Sequence, residues 1–145
     1  MKYKVGDLVR DAGDFDVIVH GCNCFCTMGA GIAKQIKKAF PKAYQADQNT
    51  ICGDQTKLGT ITYYQNKKNP IVMNAYTQFD FGRSNINADY DAIRQCMKRI
   101  KLQFSGMKIG LPKIGAGLAG GDWEIIETII NEELDGEDVT VVLFK

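Results

Sequence analysis

Apolar positions along the chain keep two rhythms, short unbroken runs and runs spaced by three or four residues, and the changes between them outline the elements. Residues 16–20, DVIVH, form a short run rich in β-branched side chains and predict a buried strand. Residues 29–40, GAGIAKQIKKAF, place Ile32, Ile36 and Phe40 at helical spacing with Lys34, Lys37 and Lys38 outward, and Pro41 is read as the stop. TITYYQ at 60–65 and IVMNAY at 71–76 predict two strands, paired antiparallel across the turn NKKNP. From 88 to 104, Ile93, Met97, Ile100 and Phe104 share one face of an amphipathic helix that ends near Ser105 and Gly106. KIGLP at 108–112 predicts a strand, WEIIETIINEEL a helix capped by Asp122, and VTVVLF a buried closing strand. Strands alternating with helices predict the α/β class, a mixed central sheet sandwiched between helix layers.

Composition narrows the picture. A chain of 145 residues, 45% hydrophobic and 24% charged, without repeat, low-complexity tract or linker, predicts a single domain over 1–145. Its 18 basic and 17 acidic residues nearly cancel, and no basic stripe stands out. Nothing in the charge balance favours a nucleic-acid module or an anionic membrane, so any anionic ligand must be held locally. No apolar run approaches the roughly 20 residues that span a bilayer, and MKYKVGDLVRDAG has no apolar signal core, which gives a cytoplasmic expectation. Five cysteines, at 22, 24, 26, 52 and 96, are an odd number and are expected to be reduced thiols. The one-residue spacing of Cys22, Cys24 and Cys26 is not that of a zinc knuckle, and His20 is the only histidine, so no metal site is expected.

The candidate chemistry lies where two buried strands each run into a glycine loop that opens a helix. Glycine lets backbone N–H groups approach a phosphate, and the helix start adds unpaired donors and the positive dipole end. The first loop spans 21–31 and the second 114–121. One such loop alone is more simply a turn or a packing contact, whereas two at matching junctions are suited to gripping a pyrophosphate at the carboxyl ends of the strands. The P-loop pattern, the Rossmann glycine register and a serine elbow are all missing.

GDL at 6–8, VIVHGCN at 17–23, MGAGIA at 28–33 and LPKIGAGLAGGDW at 111–123 together resemble the macrodomain family of ADP-ribose-binding modules, in its order and over nearly the whole chain. The nearest subgroup contains ADP-ribose 1''-phosphate phosphatases and terminal or DNA-linked ADP-ribose glycohydrolases. The resemblance implies ADP-ribose or its 1''-phosphate as ligand and no separate cofactor. It implies that Asp7 accepts from the adenine amine with Leu8 beside it, and that Asn23 faces the distal ribose. Gly29, Ala30, Gly31 and Ile32 would form one phosphate wall, and Ile114, Gly115, Ala116, Gly117 and Leu118 the other. The lysine and second-loop acid of the glycohydrolases are matched to Tyr76 and Ala119, which removes both groups. An aromatic cover for the distal ribose is expected either from Phe79 or Phe81 instead of position 119, or not at all.

With those groups gone, the activity the resemblance implies is hydrolysis of the 1''-phosphate; a glycohydrolase and a non-catalytic reader are the alternatives. Asn23 is the candidate for positioning. His20 is a candidate acid or base because its ordinary pKa lies near neutrality, set against a plain strand-end histidine. Asp80, in the segment 74–85, is a second candidate base, set against a solvated loop carboxylate. Trp123 is read as a core anchor.

Overall fold

The computed structural model describes residues 1–65, 67–68, 70–81 and 86–144. Six strands form one sheet in the order β1-β6-β5-β2-β4-β3: β1 (Lys2–Gly6), β2 (Val17–Cys22), β3 (Ile61–Tyr64), β4 (Ile71–Tyr76), β5 (Lys108–Leu111) and β6 (Asp138–Phe144). β3 pairs antiparallel with β4, as the sequence predicted, and every other ladder is parallel. Helices α1 (Gly31–Ala39) and α2 (Pro41–Gln48) accompany α3 (Tyr90–Phe104) and α4 (Trp123–Glu133).

The unbroken apolar strands are buried on both faces. In β2, Val17 and Val19 enter the cluster formed with Ile93, Met97 and Ile100 of α3 and Ile126 and Ile130 of α4. Ile18, between them, enters the opposite cluster with Ile36 of α1 and Ala43 of α2. Period-two alternation thus feeds two cores at once, and the expected α/β layering follows. Trp123 packs against the first cluster as a core anchor and donates from Nε1 to the Tyr3 hydroxyl at 3.0 Å. Asp122 accepts from the Glu124 amide at 2.9 Å and caps α4 as expected.

Three features depart from the sequence reading. Pro41 does not end the helical region but opens α2 at its first turn, where a missing N–H costs nothing. The N-terminal residues form the edge strand β1, parallel to β6. Cys26 and Cys52 are joined in a disulfide with their Cα atoms 5.4 Å apart, so only Cys22, Cys24 and Cys96 are free thiols. The chain following α2 carries Cys52 back beneath the first loop, a closure that a separation of 26 residues does not announce. Among the described residues, no helix is long and apolar enough to cross a membrane.

Candidate functional site

β2 and β5 lie side by side and deliver both glycine loops to the same edge of the sheet. Between the loops is a cleft of about 1220 Å³. It is lined by Asp7 and Leu8 at one end, by Gly29, Ala30, Gly31 and Ile32 on one wall, and by Ile114, Gly115, Ala116, Gly117 and Leu118 on the other. Every binding residue expected from the sequence, Asn23 included, faces this space.

The donors are built by local backbone geometry. The amides of Gly31, Ile32 and Ala33 lie in the first turn of α1 and have no carbonyl within the helix to reach. In the second loop Gly121 N donates to the Gly115 carbonyl at 2.8 Å and Ala116 N to that of Lys113 at 3.1 Å, closing the loop on itself. Gly115 takes φ +75, a left-handed conformation that a side chain would strain. The amides of Gly115, Gly117 and Leu118 remain without a bond to the described residues. Two sets of N–H groups from opposite walls suit an anionic ligand.

Asp7 does double duty. Its Oδ1 accepts from the amides of Val9 and Arg10 at 3.0 and 3.1 Å, which is the turn-capping role, while the residue still lines the cleft. Leu8 is buried beside it and joins the α1/α2 core. Asn23 is fixed from both ends of its amide: Nδ2 donates to Thr27 Oγ1 at 2.7 Å and to its carbonyl at 3.2 Å, and Oδ1 accepts from Phe25 N at 2.8 Å. It therefore organises the first loop as well as facing the cleft.

Neither ionisable catalytic candidate reaches the cleft. His20 is 1% exposed and its Nε2 lies 2.7 Å from Asn74 Oδ1. Because Oδ1 accepts, Nε2 carries the proton. Burial pushes the ring's pKa down to about 4, opposed by the Asn74 bond, so His20 is a neutral core histidine. The reason is strand alternation: His20 lies between the cleft-facing end of β2 and the core, where Asn74 on β4 is its partner in register. Asp80 is exposed, accepts from Phe81 N at 2.7 Å, and does not line the cleft. It serves its own loop, whose continuation at 82–85 lies outside the described residues.

Tyr76, matched to the glycohydrolase lysine, is also inside the protein. It is fully buried and donates from its hydroxyl to Asp47 Oδ1 at 2.7 Å, with Lys57 Nζ 4.6 Å from its ring centroid. Gln78, two residues on, lines the cleft from this strand end and likewise offers no amine. Ala119 lines the cleft where the loop acid was expected to be missing. Of the two aromatic candidates Phe81 reaches the cleft, whereas Phe79 packs behind it, 4.9 Å from Phe25. Lys113 faces the cleft at the base of the second loop. Burial raises the Cys22 thiol well above its ordinary pKa, so it lines the cleft as an inert apolar group. Thr27, Gln35, Asn87 and the β6 residues Val142, Leu143 and Phe144 also line the cleft and were not singled out by sequence. The apolar run of β6 signalled a strand; only the packing of β6 beside β1 sets its end against Asp7 and Leu8.

The profile of the Macro domain family matches residues 19–130. The chain belongs to this family. A T4 bacteriophage protein described as an uncharacterized 17.5 kDa protein in the tk-vs intergenic region is 39% identical, over 98% of this chain and 95% of its own length. An ADP-ribose glycohydrolase of Bos taurus is 26% identical over 98% and 89% of the two chains. An ADP-ribose 1''-phosphate phosphatase of Candida albicans is 24% identical over 91% and 92%. The structure of a protein of unknown function from Bacteroides thetaiotaomicron superposes with a TM-score of 0.80 at 32% identity, over 98% of this chain and 96% of that one. The macrodomain is accordingly related to hydrolases of ADP-ribose derivatives.

Proposed function

We propose that this macrodomain binds ADP-ribose and hydrolyses ADP-ribose 1''-phosphate to ADP-ribose and phosphate. The observation that carries the reading is the chemistry of the cleft. Backbone donors on two walls suit a pyrophosphate, and the ionisable side chains among the described lining residues are Asp7, Cys22 and Lys113. The end near Asn23, Gln78 and Asn87 is lined by neutral amides.

Phosphoryl transfer is the hydrolysis that best suits such a site, because it relies on positioning and electrostatic stabilisation more than on a protein acid or nucleophile. Water attacks phosphorus, the bond between phosphorus and the C1'' oxygen breaks, and a monoanionic phosphate can supply the proton its leaving oxygen needs. The Asn23 amide fixes the loop and orients the distal ribose, and the loop amides stabilise the charge that spreads over the phosphoryl oxygens.

The same neutral lining favours a second reading, a reader that binds ADP-ribose without chemistry. The test is to incubate the pure protein with ADP-ribose 1''-phosphate and follow free phosphate, beside a calorimetric titration with ADP-ribose. Phosphate release lost in Asn23→Ala supports the phosphatase. Binding without release leaves the reader, release of ADP-ribose from a modified acceptor instead marks a glycohydrolase, and neither binding nor release overturns the proposal.

A further inference from the structure

The disulfide beside the first loop is built unequally at its two ends. Cys52 lies exposed in the turn that follows α2, next to the exposed Ile51. Cys26 is 7% exposed, and its Sγ is enclosed by the Asp47 carbonyl at 3.4 Å, Thr50 Oγ1 at 3.5 Å and Lys57 Nζ at 3.6 Å. Lys57 is buried as well, and its charge is incompletely met. Its ammonium donates to the Cys24 carbonyl at 3.2 Å, whereas Asp47 Oδ1 stands 3.8 Å away, too far for a hydrogen bond, and already accepts from the Tyr76 hydroxyl. Burial raises the Asp47 pKa, against the Tyr76 bond and the Lys57 charge, which weakens it as a counter-ion. A buried cation is costly without an anion against it, and Cys26 Sγ is a group in contact with it that can become one.

We propose that Cys52 is a thiol-exchange site: a small-molecule thiol attacks its sulfur and Cys26 leaves as a thiolate held by Lys57, which puts the first glycine loop under thiol control. Exchange depends on access to the attacked sulfur and on the stability of the departing thiolate, and both asymmetries here run the same way. The attacking thiolate bonds to Cys52 Sγ as the Cys26–Cys52 bond breaks, and the electron pair of that bond passes to Cys26 Sγ. A second thiol then attacks the mixed disulfide, frees Cys52 and leaves as a small disulfide, so two thiols are oxidised while the protein link is reduced. The cleft feels the exchange through the loop. Cys26 holds φ +62, a left-handed conformation uncommon outside glycine, and its neighbour Thr27 lines the cleft and takes the Asn23 amide at 2.7 Å. Released from Cys52, Cys26 can leave that conformation and shift Thr27 and Asn23 with it. This consequence, unlike the exchange itself, rests on the ADP-ribose reading of the cleft.

The test exposes the oxidised protein to millimolar glutathione, stops the exchange with acid, blocks free thiols with a maleimide in denaturant and maps both modifications by mass spectrometry. Glutathione on Cys52 with maleimide on Cys26 is the expected intermediate. Glutathione on Cys26, an equal division between the two, or a link that stays intact would overturn the proposal. If only fully reduced protein is recovered, the rate of its reduction decides: Lys57→Met, which removes the charge, is expected to slow it about tenfold, and Lys57→Arg to keep most of it. A rate in Lys57→Met equal to or above that of the wild type overturns the role of Lys57 and the proposal with it. Calorimetry then compares the oxidised and reduced protein, and ADP-ribose is expected to bind the reduced form about fivefold more weakly. Equal affinities overturn the control of the loop. If the oxidised protein binds no ADP-ribose, the functional reading fails by itself and the mapping still decides the exchange.

Discussion

His20 shows how far a single residue can be read. A lone histidine at the end of a strand offers a near-neutral pKa and so invites an acid or base role, but its partner decides the matter. Asn74 Oδ1 takes the Nε2 proton, while Asn74 Nδ2 donates to the Ala43 carbonyl at 2.9 Å and to Thr62 Oγ1 at 3.1 Å. The ring is held neutral between β2 and β4. With its pKa lowered from 6.5 to about 4 by burial, the unfolded chain binds the proton first as pH falls. This contribution to stability is complete above about pH 6.5 and is lost progressively down to about pH 4, by roughly 3 kcal/mol. Chemical denaturation across that window should show the decline in the wild type and a shallower slope in His20→Gln; equal slopes would show that His20 does not titrate there. Asn23, by contrast, was legible as a cleft-lining position, because it follows the strand and precedes the glycines. Its bonds to Thr27 and Phe25 were not, since they depend on how the loop folds.

At the level of elements, the strands and helices with strong periodicity came through, and the misses have physical causes. The pattern of β1, Lys2 and Lys4 alternating with Tyr3 and Val5, carries a period of two, but an edge strand with exposed side chains lacks the apolar run that marks a buried one. Pro41 carries opposite meanings at the end of one helix and the start of the next, and only the turn at Phe40 selects the second. The disulfide matters most for the site. It ties the first loop at Cys26, between Asn23 and the phosphate wall, to the chain beyond α2, and Cys26 itself takes φ +62. Gln48 Nε2 donates to the Cys26 carbonyl at 2.7 Å, Gly53 N to that of Cys24 at 2.7 Å and Lys57 Nζ to the same carbonyl at 3.2 Å, while Cys24 N donates to the Phe79 carbonyl at 2.9 Å, so hydrogen bonds share the anchoring with the covalent link. Reduction, or Cys52→Ser, is expected to lower stability by about 3 kcal/mol and to weaken ADP-ribose binding by loosening the loop. Denaturation and calorimetry with and without a thiol reductant check this, and identical curves under both conditions would show that the link does not hold the loop.

For the whole molecule, a net charge of +1 excludes a global field, and the cleft meets an anion with backbone N–H groups instead. Binding carried by fixed dipoles at short range is screened far less than binding by mobile surface cations. The ADP-ribose affinity should therefore change by less than about threefold between about 0.05 and about 0.5 M salt. A tenfold loss in the same titration would shift the work to a cation such as Lys113. By itself the sequence determined the layer architecture, the two glycine loops and the family, because hydrophobic period and glycine spacing are properties of the chain that folding does not rearrange. The positions that the resemblance implied for binding all line the cleft. Only the tertiary structure decided which neighbouring groups face the cleft. His20, Tyr76 and Asp80 turn away while Gln78, Phe81 and the end of β6 turn in, because side-chain direction is set by strand register and by partners brought together from distant parts of the chain.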